Sequence, residues 1–303
     1  MKQLFAASFK KLFTGGILLG FFAGCSVLDP AEDIPSYLHI ESISLSVPNP
    51  GINGTSKADI LDAWIFMDGK LIGAFELPCN VPIIAEGVHT FSIRGGVRMN
   101  GLSSTRAIYP AWKAWDGSAT LVRGQKVNIA PVVTYYPALN ISGDSWLCDF
   151  EATAGTNFDH DPSSSALLVR VGAPDNYDSL YSGYVHLNTD STFFFGRSAG
   201  SGFIMPTTTD TWLEFDYKSD MAFTVGIKHP TNSNYIVGWL AVQPNVNWTK
   251  VYVRLTDALA EAQARFGYNN GPAVVPYQIY FGASTTVSQS QANIYLDNIK
   301  LLK

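Results

Sequence analysis

The sequence has few charged residues, and basic residues are the scarcer kind. Charged side chains make up 15% of the 303 residues, with 20 Lys and Arg against 25 Asp and Glu and a net charge of −5. Binding to nucleic acid phosphates requires a basic surface, and electrostatic attachment to acidic lipids requires clustered Lys and Arg. The charge balance therefore argues against nucleic acid as a partner.

Signatures of catalysis are missing as well. The sequence has no phosphate-binding glycine loop and no H-E-x-x-H. Asp159-His160-Asp161 lacks a third spaced ligand, so we interpret it as a loop and not as a metal site. A glycosidase needs two carboxylates across a cleft, and the sequence alone leaves such a pair open. We predict that the protein binds its target and is not an enzyme.

Only three cysteines are present, at positions 25, 79 and 148. No two of them have the spacing of metal ligands. A disulfide between Cys79 and Cys148 would join two different predicted domains. We therefore favour the alternative, in which both are small, buried apolar side chains.

The first 24 residues have the form of an export signal. Lysines at positions 2, 10 and 11 precede the apolar run Leu12–Phe22, and Ala23-Gly24 leads to Cys25. No later apolar run approaches the ~20 residues that cross a bilayer. The segment resembles the signal of a bacterial lipoprotein from a Bacteroidota-like envelope, which implies that Cys25 carries acyl chains such as palmitate. An ordinary cleaved secretory peptide and an uncleaved anchor are the alternatives.

Lipidation of Cys25 has consequences for location. Residues 25–33 are polar and contain proline, which is typical of a flexible tether. Two acyl chains hold a protein stably on a membrane. We therefore predict a lipid-anchored protein of the outer membrane, on either its periplasmic or its cell-surface side.

The sequence is rich in aromatic residues, which lie in short alternating runs. With 14 Tyr, 18 Phe and 7 Trp, the composition is typical of β-rich exported proteins. Asp68-Gly69 lies between two such runs and predicts a hairpin with a tight primed turn. With Glu86-Gly87-Val88-His89 further on, the segment resembles β-sandwich domains of the PEGA type and their prealbumin-like relatives. The resemblance implies an Ig/prealbumin-like sandwich over residues 34–137, used as a spacer or docking module.

Three large aromatic residues cluster later in this domain, at Tyr109, Trp112 and Trp115. Pro110 and Gly117 give the stretch a loop-like context. One interpretation is that Tyr109 and Trp112 cap the sandwich core. The other is that Trp115, with Trp112, forms a docking surface for a partner protein or a glycan.

The remaining residues, 138–303, contain many short strands separated by turns, which predicts a second all-β sandwich. We expect its first strand, Ser145–Ala152, to pair with its last, Gln291–Lys303. These two strands, with the D-F-E and L-D-N-I motifs, resemble the galactose-binding-like jelly rolls of carbohydrate-binding modules. Asp257–Phe266 predicts a short helix, which we place at the surface.

Alternation along the strands of the second domain assigns side chains to faces. We place Leu213, Phe215 and Tyr217 in the core. Four residues on the opposite faces form the predicted sugar-binding surface: Trp212, Tyr252, Arg254 and Tyr280. Aromatic rings stack on the CH faces of sugars while polar groups bind the hydroxyls. The alternative is ordinary cross-strand pairing on a solvated sheet.

Two acidic residues mark the expected junction of the first and last strands, Glu151 and Asp297. Neighbouring carboxylates repel each other unless a cation joins them, and Ca²⁺ prefers such oxygen ligands. The resemblance to jelly-roll sugar binders also implies a structural ion. We therefore predict a calcium site formed by Glu151 and Asp297. In the alternative, the two side chains cap backbone amides or face water.

Together these expectations describe an all-β protein with two β-sandwich domains after a lipoprotein signal peptide. The resemblances imply a non-catalytic glycan-binding protein anchored in the cell envelope, whose partner is a polysaccharide. The alternative is a non-enzymatic accessory subunit that docks on an outer-membrane protein complex.

Overall fold

The computed structural model describes residues 32–50, 54–136, 146–151, 158–205, 210–229, 232, 235–266 and 276–303. In these ranges the chain is nearly all β and has one helix, α1, at Thr256–Phe266. The strands form an N-terminal sandwich over Ser36–Tyr135 and a C-terminal sandwich over Trp146–Leu302. The predicted all-β fold class is confirmed.

The N-terminal sandwich has strands β1 to β11 among its described residues. They are β1 (Ser36–Ile40), β2 (Ser44–Ser46), β3 (Asp62–Met67), β4 (Lys70–Glu76), β5 (Cys79–Ile83), β6 (Gly87–Arg98), β7 (Arg106–Ile108), β8 (Trp112–Lys113), β9 (Trp115–Leu121), β10 (Lys126–Asn128) and β11 (Val132–Tyr135). Their sheets have the orders β10-β1-β5, β2-β11-β8 and β4-β3-β6-β7, with β9 beside β6. Leu38, Ile65 and Val133 bring the three sheets into one core.

The hairpin of β3 and β4 forms as the sequence predicts. Asp68 has a φ of 49° and Gly69 a φ of 77°. A primed turn requires positive φ at both central positions, and Asp-Gly meets this requirement at little cost. The prediction of this hairpin is confirmed.

The C-terminal sandwich contains strands β12 to β23. They are β12 (Trp146–Cys148), β13 (Phe158–His160), β14 (Leu168–Val171), β15 (Ser182–Leu187), β16 (Phe193–Ser198), β17 (Phe203–Ile204), β18 (Trp212–Ser219), β19 (Phe223–Lys228), β20 (Ile236–Val242), β21 (Asn245–Arg254), β22 (Pro276–Ser284) and β23 (Ala292–Leu302). The first sheet has the order β14-β15-β23-β18-β21, with β12 beside β23. The second sheet has the order β13-β16-β22-β19-β20, with β17 beside β22.

The first and last strands of the C-terminal sandwich pair as expected. β12 runs antiparallel to β23, with Cys148 opposite Ile299. The core between the two sheets includes Leu213, Phe215 and Tyr217, which confirms the inward face predicted for β18. Alternation with a period of two therefore assigns this core face correctly.

The helix α1 begins at Thr256, one residue before its predicted start, and it is not confined to the surface. Ala258, Leu259 and Ala262 are buried and belong to the core of the C-terminal sandwich. Their side chains share one side of the helix, and two of them are small enough to let the helix backbone approach the core closely. The alanines thus allow close packing and do not mark an exposed turn.

One part of the outer face of the first sheet is covered by the N-terminal sandwich. Trp212 and Tyr252 are 3% and 2% exposed, and they pack into the N-terminal core. The ring of Tyr109 lies 5.3 Å from that of Trp212 and 4.8 Å from that of Tyr252, both edge-on. Alternation placed Trp212 and Tyr252 on the correct side of the sheet. The prediction that they face a ligand was wrong, because another sandwich covers that side.

We call this contact between the sandwiches the seam. It also decides between the two interpretations of Tyr109 and Trp112 in the N-terminal aromatic cluster. Tyr109 is 0% exposed and Trp112 is 4% exposed. Trp112 packs edge-on against both Tyr109 and Tyr252. Trp115 is partly buried against the N-terminal core. The interpretation of Trp112 as part of an exposed docking surface was therefore wrong.

A buried ion pair lies in the seam. Glu214 accepts hydrogen bonds from the hydroxyls of Tyr109 (2.8 Å) and Tyr135 (2.9 Å), and Lys300 Nζ donates to Glu214 and to the Tyr135 hydroxyl. Burial alone would raise the pKa of Glu214, but the charges of Lys300 and Lys250 outweigh it and hold that pKa below its ordinary value. Glu214 is thus a buried carboxylate with partners from both sandwiches.

Backbone hydrogen bonds reinforce the seam at β21, the edge strand of the first sheet. Asn100 N donates to Tyr252 O (2.7 Å), and Arg254 N donates to Asn100 Oδ1 (3.0 Å). Asp59 Oδ2 accepts from Lys250 N (3.2 Å). An open strand edge leaves backbone groups unpaired. Here the N-terminal sandwich supplies partners for them.

The predicted lipidation site, Cys25, lies outside the described residues, as does the whole predicted signal peptide. In the ranges that are described, no helix combines the length and the apolar character needed to cross a bilayer. Lipid anchoring therefore stays a prediction.

Candidate functional site

The four predicted sugar-binding residues do not come together in the structure. Trp212 and Tyr252 lie in the seam. Arg254 lies at its margin, where Nε and Nη2 donate to Asp210 Oδ1 at 3.1 and 2.9 Å. Tyr280 is on the outer face of the second sheet, a different surface. Tyr280 lies beside an open groove.

The Tyr280 ring extends across the second sheet, and two glycines make this possible. Gly226 in β19 is opposite both Tyr280 in β22 and Gly238 in β20. A Cβ on Gly226 would lie 2.8 Å from a Tyr280 ring carbon, and one on Gly238 would lie 3.0 Å from the Tyr280 hydroxyl. The ring therefore covers the bare backbone of the glycine pair, an arrangement known to stabilise glycines in sheets.

Two phenylalanines continue this aromatic surface. The ring of Phe195 is stacked on that of Tyr280, with centroids 4.8 Å apart and planes 14° from parallel. Phe193 lies two residues before Phe195 on the same face of β16, and the centroids of the two rings are 6.3 Å apart. Both phenylalanines are half-buried. Their rings thus line a surface that a ligand can reach.

Beside these rings the sheet is depressed, and we call the depression the aromatic groove. Small residues on neighbouring strands form its floor: Gly282 is opposite Phe195 and Thr224, and Ala241 is opposite Thr224. The groove has a volume of about 370 Å³. It is lined by Phe193, Phe195, Ala222, Phe223, Thr224, Ala241, Tyr280, Gly282, Ala283 and Ser284.

The groove lining is apolar with a few hydroxyl groups. Thr224, Ser284 and Tyr280 supply these hydroxyls. Burial raises the pKa of Tyr280 to about 12, so its hydroxyl keeps its proton at neutral pH. Apolar surfaces with a small number of polar groups are typical of sites that bind small molecules or sugar units.

The uncovered part of the first sheet also carries aromatic side chains, but they are arranged differently. Tyr184, Tyr295 and Lys218 are directly opposite one another on β15, β23 and β18. Tyr184 stacks on one side of the Tyr295 ring at 4.7 Å, and Lys218 Nζ lies 4.1 Å from its centroid. Tyr177 likewise stacks on Trp248 at 4.7 Å. We call these five residues the aromatic ladder.

The side chains of the aromatic ladder find most of their contacts within the sheet itself. β23 lies between β15 and β18, so Tyr184 and Lys218 cover opposite faces of the Tyr295 ring. The Tyr184 hydroxyl donates to Asn293 Oδ1 (2.7 Å). Cross-strand contacts of this kind stabilise a sheet. The ladder therefore fits the alternative of ordinary cross-strand pairing better than it fits a sugar-binding surface.

Glu151 and Asp297, the predicted calcium ligands, have other partners here. Glu151 Oε1 accepts from Tyr181 N (2.8 Å). Asp297 Oδ2 accepts from Ser182 Oγ and its Oδ1 from Asn298 N, each at 2.7 Å. Among the residues with described positions, no group of three or more His, Cys, Asp or Glu is placed to hold a metal ion. Both carboxylates accept hydrogen bonds from backbone amides, as in the alternative interpretation, and calcium stays a prediction.

Asp297 lies close to a second buried acid, since Asp216 is directly opposite it on β18. Both carboxyl groups are 0% exposed. Lys250 Nζ pairs with Asp216 Oδ2 at 2.9 Å. Burial, with a smaller contribution from the charge of the neighbouring Asp216, raises the pKa of Asp297 to about 7. A proton on Asp297 relieves the repulsion between the two groups.

The Asp159-His160-Asp161 cluster takes part in local hydrogen bonds. His160 Nε2 accepts from Leu168 N (2.8 Å), and Asp161 Oδ1 accepts from Ser163 N and Oγ. These contacts hold the turn that follows β13. The loop prediction is correct for Asp161 and wrong for Asp159 and His160, which lie in β13 and pair with β16.

Phe193 and Phe195 were not among the binding residues predicted from the sequence, although the sequence contains a signal for them. Phe193-Phe194-Phe195 places one aromatic side chain in the core and two on the opposite face. Large aromatic residues on the outer face of a strand in an exported protein indicate a contact surface. Gly226 and Gly238, each within an apolar strand, indicate a place where a ring approaches the backbone.

Comparisons with known proteins give likenesses at low identity. The sequence matches no protein-family model and no curated protein sequence. A structure described as showing the promiscuous specificity of carbohydrate-binding modules from the β-sandwich superfamily is 14% identical. The matched region covers 80% of this chain and 85% of the chain in that structure, with a TM-score of 0.38.

Two further structures match about half of this chain. A family 30 carbohydrate-binding module of a cellulosomal cellulase from Clostridium thermocellum is 14% identical, over 52% of this chain and 90% of its own, with a TM-score of 0.31. An arabinose-bound α-L-arabinofuranosidase is 15% identical, over 52% of this chain and 24% of its own, with a TM-score of 0.37.

Proposed function

We propose that this chain is a non-catalytic glycan-binding protein and that the aromatic groove of the second sheet is its binding surface. The half-buried rings of Phe193 and Phe195 beside an open floor support this most directly. A sugar ring has CH faces that pack on aromatic rings, and hydroxyls that need hydrogen-bonding partners. The groove offers both kinds of contact on one rigid sheet.

The scaffold prepares this surface for binding. Tyr280 is held between the glycine pair beneath it and Phe195 stacked on it, so its ring loses little freedom when a ligand binds. Hydrolysis of a glycosidic bond commonly uses two carboxylates. The residues that line the groove supply hydrophobic and hydroxyl groups and no carboxylate. Binding without cleavage fits this lining.

Retention of the protein in gels that contain polysaccharides tests the proposal. We expect the wild type to be retarded by at least one neutral polysaccharide, and Phe195→Ala to weaken that binding at least about tenfold, or ~1.4 kcal/mol. Phe66→Ala is the matched control, since Phe66 is a half-buried ring on the N-terminal sandwich. Equal retention of the wild type and Phe195→Ala would overturn the groove as the site.

We also propose that acylated Cys25 anchors the protein in the outer membrane. The support is the sequence pattern of residues 1–25. Metabolic labelling with an alkyne analogue of palmitate tests it. We expect label on the wild type and none on Cys25→Ser, together with loss of the protein from the membrane fraction. Label on Cys25→Ser would contradict the proposal.

A structural calcium ion at Glu151 and Asp297 can be tested separately. If the ion is present, EDTA should lower the melting temperature, and calcium should restore it by mass action. An unchanged melting temperature in both conditions would remove the calcium proposal. The groove is formed by other residues, so its test is independent.

A docking role in an outer-membrane protein complex is the second candidate, and an edge strand favours it. β4 is the edge of its sheet, and Leu71 and Ile72 on it are 52% and 36% exposed. Exposed edge strands are common sites of strand addition by a partner. Co-purification with a barrel protein in mild detergent, lost on Ile72→Pro, would support this candidate over glycan binding.

A further inference from the structure

The chemistry of the groove lining bears on which glycans it can accept. None of the ten lining residues is charged at neutral pH. A carboxylate or sulfate placed against Phe193, Phe195 and Ala241 would lose water without gaining a cationic partner. Burying an unpaired charge is among the costliest changes in a binding site. The lining therefore disfavours acidic sugars.

The hydrogen-bonding capacity of the groove is also small. Hydroxyls of Thr224, Ser284 and Tyr280 are the side-chain groups available in the lining. An unsubstituted polysaccharide brings several hydroxyls with each sugar unit. Each hydroxyl that is buried without a partner weakens binding. A sugar with some hydroxyls masked loses less on entering.

The floor provides space for the masking groups. Gly282, Thr224 and Ala241 are adjacent on three neighbouring strands, and Ala222 lies close by in the lining. Ala222 and Ala241 are exposed. A methyl or acetyl group beside the rings of Phe193 and Phe195 would cover this apolar floor. Each CH₂-sized group that is buried there strengthens binding.

We infer that the aromatic groove selects uncharged glycans that carry methyl or acetyl substituents, and that it discriminates against uronates. The inference rests on the proposed glycan-binding function of the groove. It adds the class of ligand, which follows from the uncharged lining, the few hydroxyls and the small floor residues. The substituent lies on the floor while the sugar ring packs against Phe195.

Two matched pairs of polymers test the inference with the full chain, by affinity electrophoresis. The first pair is highly methyl-esterified homogalacturonan and the same polymer after saponification, which exposes carboxylates. The second pair is acetylated xylan and the same polymer after mild alkaline deacetylation, which exposes hydroxyls without adding charge. We expect binding at least about tenfold weaker after saponification, because of the unpaired charge. We expect about three- to tenfold weaker binding after deacetylation.

Variants connect these preferences to the groove. Phe195→Ala should weaken binding to every polymer that is bound. Ala241→Leu fills the floor and should remove the preference for acetylated xylan.

Equal or tighter binding to both treated polymers, still sensitive to Phe195→Ala, would overturn the inference and leave the proposed function intact. No retardation by any of the four polymers would overturn the inference, and failure on a wider panel of neutral polysaccharides would overturn the proposed function as well.

Discussion

The two sheets of the C-terminal sandwich carry aromatic residues on their outer faces, yet they use them differently. On the first sheet, Trp212 and Tyr252 are buried in the seam, and the ladder rings around Tyr295 cover one another. On the second sheet, Tyr280 is 5% exposed under Phe195, while the half-buried rings of Phe193 and Phe195 lie beside a floor of small residues that stays open. The difference shows that the count of outward aromatic residues does not identify a candidate binding face. What matters is whether open space lies beside the rings.

The strongest test of this difference removes the buried carboxylate of the seam. Glu214→Ala leaves Lys300 buried without its partner and the Tyr109 and Tyr135 hydroxyls without their acceptor. We expect a loss of about 3–5 kcal/mol in the free energy of unfolding, measured by urea denaturation. Glu86→Ala, which breaks an exposed pair with Arg123, is the control and should cost less than about 1 kcal/mol. Similar losses for both variants would mean that the seam is not a stabilising contact.

The second test concerns pH and the buried acids of the first sheet. The pKa of Asp297 is raised to about 7 by burial, so the folded chain holds a proton that the unfolded chain releases above about pH 4. Stability from this group is therefore complete below pH 4 and is lost as the pH rises to 7. In EDTA, Asp297→Asn should remove this decline, which is on the order of a few kcal/mol.

The control for the pH experiment is Asp190→Asn, an exposed position. This variant should keep the wild-type dependence of the free energy of unfolding on pH. If Asp297→Asn also keeps it, then Asp297 is ionised in the folded protein at pH 5, and the repulsion from Asp216 is relieved by something other than a proton.

The third test acts on the backbone beneath Tyr280. A Cβ at Gly226 would lie 2.1 Å from Val237 O and 2.8 Å from the Tyr280 ring. Gly226→Ala should therefore cost about 1–3 kcal/mol of stability and weaken retention by polysaccharide. Gly282→Ala is the matched control for stability alone, because its nearest contacts of 3.6 Å are ordinary although it lies in the groove floor. Equal melting temperatures for the two variants would argue against the described position of the Tyr280 ring.

The smallest effect is expected on the aromatic ladder. Trp248→Ala removes the stacking on Tyr177 and the contact with Lys218. We expect about 0.5–1.5 kcal/mol of destabilisation for the lost aromatic pair, with unchanged retention by any polysaccharide that the wild type binds. Loss of retention in Trp248→Ala but not in Phe195→Ala would reverse the roles of the two sheets.

Much of the fold follows from local pattern, while the position of the site does not. Alternation places Leu213 and Phe215 in the core, and Asp68-Gly69 gives the hairpin, because both depend on neighbouring residues. The burial of Trp212 depends on Tyr109, which is more than a hundred residues earlier in the chain. No periodicity reports such a contact. For the same reason the sequence names Tyr280 but not its partner Phe195, which is on another strand of the sheet.

The hydrogen bonds of Asn100 and Asp59 to the backbone of the β21 edge have a mechanical consequence. A polymer bound at the proposed site and moving with the surrounding fluid would pull on the second sheet, and the load would pass through the core to the first sheet and then into the N-terminal sandwich. Hydrogen bonds to the backbone of β21 and the Glu214–Lys300 pair carry that load together with the covalent chain. The two sandwiches should therefore resist traction as one body, and a stretching experiment should show a single rupture of the seam before either core yields.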